Sequence, residues 1–361
     1  MNNYKKFSFL VTTLFFGVTS FIILFNYIVD PFQIYRKTKL YTFKVQDQRY
    51  LNAGLAKNYP YNTLLVGTSM TENFYLHDMK KNPNFSKPMK LSFEGASIYE
   101  ISDLLQLAIH SNKELKNIII GVDFLSFKKG AKQQYMASTF PKYLYDTNPF
   151  NDMSYLLNFK IFKKSLLSLK RPYSEEAVAK TLDTIYNWQK EFNQYFTLEN
   201  IRHTYINNNK KEEQKTLHKL FNEYQFQYLK ENFDKRLYPI LKNNPQINFY
   251  LFYPPHSVLI YKVYAKANIL QDILHFKKYI FQKCKDLPNV KIYDLQVDFQ
   301  TTNNLQNYKD LGHYHEKINK LILQNIQKNN YLVSEKNIDL FIKELEKNTQ
   351  HYSAEKYLNL K

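Results

Sequence analysis

The sequence predicts an α/β protein, a parallel sheet flanked by helices, with a helical insert and an N-terminal transmembrane helix. Three observations predict it. Five short apolar runs alternate with segments of helical periodicity, the pattern of a parallel sheet with helices on both faces. The clearest runs are continuously apolar, as strands covered on both sides are. The third observation is residues 7–29, which carry no charged side chain.

That first stretch, FSFLVTTLFFGVTSFIILFNYIV, is long enough to cross a bilayer, for which about 20 apolar residues suffice. A cleavable signal peptide is the competing reading. It requires a shorter apolar core ending in small residues, whereas this run ends Phe25-Asn26-Tyr27-Ile28-Val29-Asp30-Pro31. An uncleaved signal anchor over residues 1–29 is therefore expected. Lys5 and Lys6 flank one side and Arg36, Lys37 and Lys39 the other, so the positive-inside rule is nearly balanced. The short basic N-terminus and Asp30-Pro31 favour a single-pass protein whose main domain lies outside the cytoplasm.

Residues 30–60 read as a linker and residues 61–330 as the α/β domain. Strands are expected at 63–66, 89–92, 117–123, 247–253 and 290–295. Between the second and third strands, residues 98–110 place Ile98, Ile101, Leu104, Leu105 and Ala108 at helical spacing. Residues 261–285 and 317–327 read as further helices. The stretch from about 128 to 241 has helical patterns without a strong strand, and is taken as an inserted helical subdomain. Its many aromatic residues are candidates for sugar stacking, although such residues more often form core. Residues 331–361 supply a last amphipathic helix and a tail.

Composition narrows the function classes. Hydrophobic residues make up 44% and aromatic ones 17%, which excludes global disorder. With 31 Tyr and 28 Phe against 7 Gly, the profile resembles translation from an A/T-rich bacterial genome. The net charge of +18 is spread along the chain with no nucleic-acid-binding signature, so an anionic polymer or a membrane face is the expected partner and nucleic acid is not. The lone Cys284 excludes an internal disulfide and a cysteine metal cluster.

The chemistry concentrates in a few residues. Gly67-Thr68-Ser69 closes the first strand, and Asp310 and His313 precede the helix at 317–327. A serine hydroxyl is a weak nucleophile until an imidazole takes its proton and a carboxylate orients that imidazole. Ser69, His313 and Asp310 are the candidate nucleophile, base and orienting acid. Gly95 and Asp123 follow the second and third strands, and His256 follows Pro254-Pro255 after the fourth. All belong at the carboxyl edge of an open parallel sheet, where ligands bind. Asp123 is a candidate substrate contact, and His256 is a candidate substrate contact or a plain loop histidine. His315 forms His-x-His with His313, but without a further ligand cluster no metal is expected. Glu72 and Asn73 read as the first turn of a helix.

This order of blocks resembles the SGNH/GDSL hydrolase superfamily. There a serine follows the first strand, a glycine the second, an asparagine the third, and an Asp-x-x-His motif precedes the final helix. The resemblance covers about residues 29–125 and 245–328 and implies a flavodoxin-like sheet. It also implies Ser69 as nucleophile, backbone N–H groups at Ser69 and Gly95 as the oxyanion site, and no cofactor or metal. Asp123 departs from the pattern, because an ionised carboxylate cannot donate to an oxyanion. Within the superfamily, Val29-Asp30-Pro31 and the anchor are similar to the alginate O-acetylation proteins and the teichoic acid D-alanine transfer protein. What this implies is acylation, O-acetylation above all, of a cell-envelope glycan or teichoic acid-like polymer. It further implies a bacterial inner-membrane location and an MBOAT-type membrane acyltransferase as partner. A non-catalytic glycan-binding or scaffold protein on the same fold is the alternative.

Overall fold

A computed structural model describes residues 3–137, 140–146, 148–207 and 212–358. The end of the expected tail, 359–361, the first two residues of the anchor segment, and parts of the insert lie outside the described residues. The helices used below are labelled in chain order: α1 Asn3–Val29, α2 Gln48–Asn58, α3 Ile98–Ser111, α4 Phe159–Ser168, α5 Val258–Lys266, α6 Leu270–Cys284, α7 Lys317–Lys328 and α8 Ile338–His351. The strands are β1 Thr63–Val66, β2 Pro88–Lys90, β3 Asn117–Gly121, β4 Asn248–Tyr253 and β5 Val290–Asp294.

The five strands form one sheet in the order β2-β1-β3-β4-β5, and every pairing is parallel. This is the flavodoxin-like order, with its switch point between β1 and β3. Side chains alternate between two cores. Leu64, Val66, Ile118, Ile120, Phe249 and Leu251 face one of them, with residues of α2, α3 and α6. Leu65, Ile119, Phe252 and Tyr293 face the other, with residues of α5 and α7. Both faces being covered explains why β1 and β3 are buried at every position.

Local signals account for the best-defined helix. Ser97 accepts from the Glu100 N–H while the Glu100 carboxylate accepts from the Ser97 N–H, a complete capping box at the start of α3. The expected single helix at 261–285 is broken in two. Asn268 sits in the left-handed region at φ 56°, which ends α5 and lets α6 start at a new angle.

Residues 30–60 are folded and do not form a linker. Phe32, Ile34, Tyr41 and Phe43 are buried, and α2 packs against α3. Gly54 in α2 faces the chain directly: a Cβ there would lie 2.0 Å from the Phe32 carbonyl oxygen. The turn is organised by Asp30, whose carboxylate accepts from the Ile34 and Tyr35 N–H groups and from the Tyr155 hydroxyl. Tyr41 donates to the Asp30 carbonyl. Residues 30–47 carry no pattern of period 2 or 3.6, and α2 buries small and polar residues such as Asn52, Ala53, Gly54 and Ala56 in place of an apolar stripe, which is why the segment read as a linker.

The insert is helical between β3 and β4 and contributes no strand among the described residues. Residues 159–168, as α4, pack on the carboxyl-terminal end of α1. The rest of α1 projects free of the domain, and its apolar side chains are exposed.

Candidate active site

The carboxyl ends of the strands deliver their loops to one place. Thr68-Ser69 leaves β1, Gly95 follows β2, Asp123 follows β3, His256 follows β4, and Asp310 to His313 comes after β5. All of these line a single cavity of about 510 Å³. Its lining combines the serine, histidines and aspartates with apolar residues that include Leu125, Leu217, Leu220, Ile260 and Val263.

Ser69 Oγ lies 2.9 Å from His313 Nε2. On the far side of the ring, His313 Nδ1 is 2.9 Å and 3.1 Å from the two Asp310 carboxylate oxygens. An anionic acceptor there fixes the tautomer with the proton on Nδ1, leaving the Nε2 lone pair facing the serine. Asp310 is held in turn by the Gly312 and His313 N–H groups at 2.9 and 2.8 Å. Burial alone would push its carboxyl up. The hydrogen bonds and charge of His313, with Lys309 at 3.2 Å, outweigh this and keep it well below the usual carboxylate range. Asp310 is therefore ionised at neutral pH.

Ser69 opens a short 3₁₀ turn, Ser69–Thr71, and Thr68 caps it by accepting from the Met70 N–H. The expectation that Glu72 and Asn73 begin an ordinary helix does not hold. Glu72 is buried and takes a hydrogen bond from Gln48 at 2.6 Å. Asn73 accepts from the backbone of Trp188 and Gln189 in the insert. Beneath the turn, Lys90 is fully buried and its ammonium donates to the Glu72 and Phe74 carbonyls. A lysine on a buried strand thus ties down the loop that carries Ser69.

Glu72 and Lys90 give stability an unusual pH dependence. Burial pushes the Glu72 carboxyl up to about 7, against the opposing Gln48 hydrogen bond. The native state then holds a proton that the unfolded chain releases. Its contribution is complete below the unfolded value and is lost as pH rises through about 7. Burial lowers Lys90 to about 7, so its contribution is complete above the unfolded value and is lost as pH falls through about 7. Glu72→Gln is expected to abolish the decline in unfolding midpoint between weakly acidic and neutral pH. It should leave the protein about 2 kcal/mol more stable than wild type at pH 8. A chemical-denaturation series across pH checks this, and an unchanged slope would contradict it.

Gly95 adopts φ +59°, a conformation that glycine takes without strain, and lies in the same cavity as Ser69. The backbone N–H groups of Ser69 and Gly95 make no hydrogen bond among the described residues. Asp123 is oriented by two donors, the Thr68 hydroxyl at 3.1 Å and the Leu125 N–H at 3.1 Å. It caps the 3₁₀ turn Phe124–Phe127. His256 is buried, with Nδ1 3.3 Å from the Gly312 carbonyl and Nε2 4.0 Å from Asp123. Burial pushes its pKa down, so the ring is neutral, and Nε2 has no hydrogen-bond partner.

His315 turns away from His313. Its ring meets Phe196 at 4.9 Å, and its Nδ1 accepts from the Lys317 N–H. Among the described residues no group of three or more His, Cys, Asp or Glu side chains is placed to hold a metal ion.

Trp188 is the site residue that sequence reasoning missed. Its indole N–H donates to the Ser69 carbonyl at 3.3 Å, and its ring meets the His313 ring edge-on at 5.5 Å. Lys309 lies over the same indole at 4.8 Å. The insert thus supplies a wall of the site. One signal was available: Trp188 is the chain's only tryptophan.

The fold and the site together define an α/β protein with a five-stranded parallel sheet and a Ser-His-Asp arrangement at its carboxyl edge. No protein-family model matches the chain, and no curated protein matches it. Among solved structures, one similar chain is described provisionally as a platelet activating factor from Streptococcus pneumonia. It is 10% identical over 78% of this chain and 90% of that one, with a TM-score of 0.36. A similarity at that level carries no argument about what the chain does.

Proposed function

We propose that the protein is a membrane-anchored, SGNH-type serine esterase or O-acyltransferase acting on a cell-envelope polysaccharide or teichoic acid-like polymer. The observation that carries this reading is the relay from Ser69 Oγ through His313 to Asp310, with 2.9 Å at each step and the serine 244 positions before the histidine. Core packing alone does not require a serine, an imidazole and a carboxylate in line at the mouth of a cavity.

In the first half-reaction, His313 Nε2 takes the Ser69 proton as the oxygen attacks the acyl carbon. Asp310 stabilises the imidazolium that forms. The tetrahedral oxyanion is held by the backbone N–H groups of Ser69 and Gly95. His313 then gives its proton to the leaving oxygen, and the acyl group stays on Ser69. In the second half, His313 deprotonates water or a sugar hydroxyl, which takes the acyl group and frees the serine. Asp123 plays no part in holding the oxyanion. Its carboxylate and the bare Nε2 of His256 are two acceptors facing one another, a setting that suits a hydroxyl donor such as the incoming acceptor.

The finer parts of the proposal rest on the family resemblance. These are O-acetylation as the acylation, an MBOAT-type membrane protein as acyl supplier, and the bacterial inner membrane with an extracytoplasmic domain. The exposed α1, uncharged from Phe7 to Val29, supports the anchor, since it is long and apolar enough to cross a membrane.

A fluorophosphonate probe tests the chemistry without knowledge of the natural substrate. Covalent labelling of the detergent-solubilised protein, mapped by mass spectrometry to Ser69 and lost on heat denaturation, is the expected result. An unlabelled Ser69 in folded protein would favour the scaffold reading.

A further inference from the structure

Residues 150–171, the loop and helix α4 of the insert, expose large apolar side chains with nothing covering them among the described residues. Phe150 is 87%, Phe159 61% and Leu167 59% exposed, and Leu157, Leu166 and Leu169 lie in the same segment. Contiguous apolar exposure on a folded surface marks a contact site. The occupant follows from what α4 is attached to.

The segment is docked on α1. Phe162 meets Phe21 at 6.2 Å and Phe25 at 5.1 Å. Asn26 donates to the Leu156 carbonyl at 2.8 Å, and the Ser165 hydroxyl donates to Asn26 at 3.1 Å. A span that begins just after Lys6 needs about 20 residues to cross the hydrocarbon layer, which brings its end to about Asn26. Phe21 and Phe25 then lie inside the bilayer boundary, and α4 stacked on them sits at that boundary. A membrane crossed by α1 cannot avoid meeting this segment.

Its charge agrees with that position. Residues 150–171 hold five basic residues, Lys160, Lys163, Lys164, Lys170 and Arg171, against one acidic, Asp152. Lys163 stands over the exposed Phe159 ring at 5.2 Å, and Lys164 pairs with Asp47. Arg36 covers Tyr27 at 4.3 Å on the same end of α1. Basic groups interleaved with exposed aromatic and aliphatic side chains are what a helix in a headgroup layer presents, with phosphates taking the cations and acyl chains the apolar atoms.

We propose that residues 150–171 form a second membrane contact, lying in the headgroup layer of a phospholipid bilayer beside α1. This rests on the reading of α1 as an anchor. The two contacts fix the domain's orientation as well as its attachment, so the active-site cavity keeps a constant attitude to the membrane.

The test uses full-length protein in vesicles of phosphatidylcholine and phosphatidylglycerol, with an environment-sensitive fluorophore on Phe159→Cys, Leu167→Cys, Leu14→Cys or Leu340→Cys. The native Cys284 is buried and gives the unlabelled background. Leu14 reports the anchor, and Leu340, 52% exposed on α8, reports a water-facing apolar position. Labels at 14, 159 and 167 are expected to be quenched at least about threefold more by spin-labelled lipid than the label at 340, and less by aqueous iodide. If 159 and 167 behave like 340 while 14 is lipid-quenched, the anchor stands and the second contact falls. A label at 14 that escapes lipid overturns the anchor, and the second contact with it. Labels at 159 and 167 shielded from both quenchers would mean that a second copy of the protein covers the face, which also overturns the proposal.

Discussion

Replacing Ser69 by alanine is expected to lower turnover of a small acyl ester by at least about 10³-fold, with folding and membrane association unchanged. The hydroxyl points at His313 and its loss leaves no buried group unpaired beyond that ring nitrogen, which faces the cavity. His313→Ala should lose nearly as much, and the double variant little more than either single one, because a nucleophile and its base act as a unit. Asp310→Asn is informative for another reason. An amide keeps the size but can present its NH₂ to Nδ1, which favours the wrong tautomer and turns an N–H toward Ser69. Ester hydrolysis under saturating substrate measures all four variants. Full activity in Ser69→Ala would remove the serine mechanism altogether.

The second large effect is on stability. Asp30→Ala removes the acceptor for the Ile34 and Tyr35 N–H groups and for the Tyr155 hydroxyl, all in a buried turn. A loss of about 3 kcal/mol or more is expected, since buried donors are left without partners. Burial raises the Asp30 pKa, and the hydrogen bonds it accepts only partly offset this. The neutral Asp30→Asn should therefore cost distinctly less than alanine, and asparagine also tolerates the positive φ of 50° at this position. Thermal unfolding in detergent, followed by the fluorescence of Trp188, gives both midpoints. Equal midpoints for wild type and alanine would show that the turn is held by packing alone.

The sheet was legible because β1, β3 and β4 are apolar runs bounded by turn residues, a signal that needs no knowledge of neighbours. Helix α3 was legible from its spacing and from Ser97 and Glu100. The break at Asn268 was not, because apolar periodicity continues across it and only the backbone angle ends the helix. Residues 30–60 were misread since the buried aromatic residues at 32–43 sit on irregular backbone and leave no period, and α2 buries small and polar residues in place of an apolar stripe. At the site, Ser69 and Gly95 stand in short motifs just after strands, Asp310 and His313 in one just before α7, and their order along the chain made them legible. Trp188 and Lys90 reach the site through contacts between distant segments, and so does the Gln48 partner of Glu72, which a single sequence does not display. Lys90 shows the difficulty well. A lysine in a strand normally argues for an exposed position, and here two backbone carbonyls make burial tolerable.

The stiffness of the junction after α1 has a consequence for how such a protein meets its substrate. A flexible linker of some thirty residues would let a domain roam tens of ångströms from the bilayer, with reach growing as the square root of linker length. Here Asn26, Asp30 and Tyr155 lock the domain to the helix within a few residues. The serine works at one fixed altitude. Polymer chains that extend farther from the surface are served only while their growing or membrane-proximal portion passes that height, so the age and length of a chain, and not its abundance, would decide which of its units are modified.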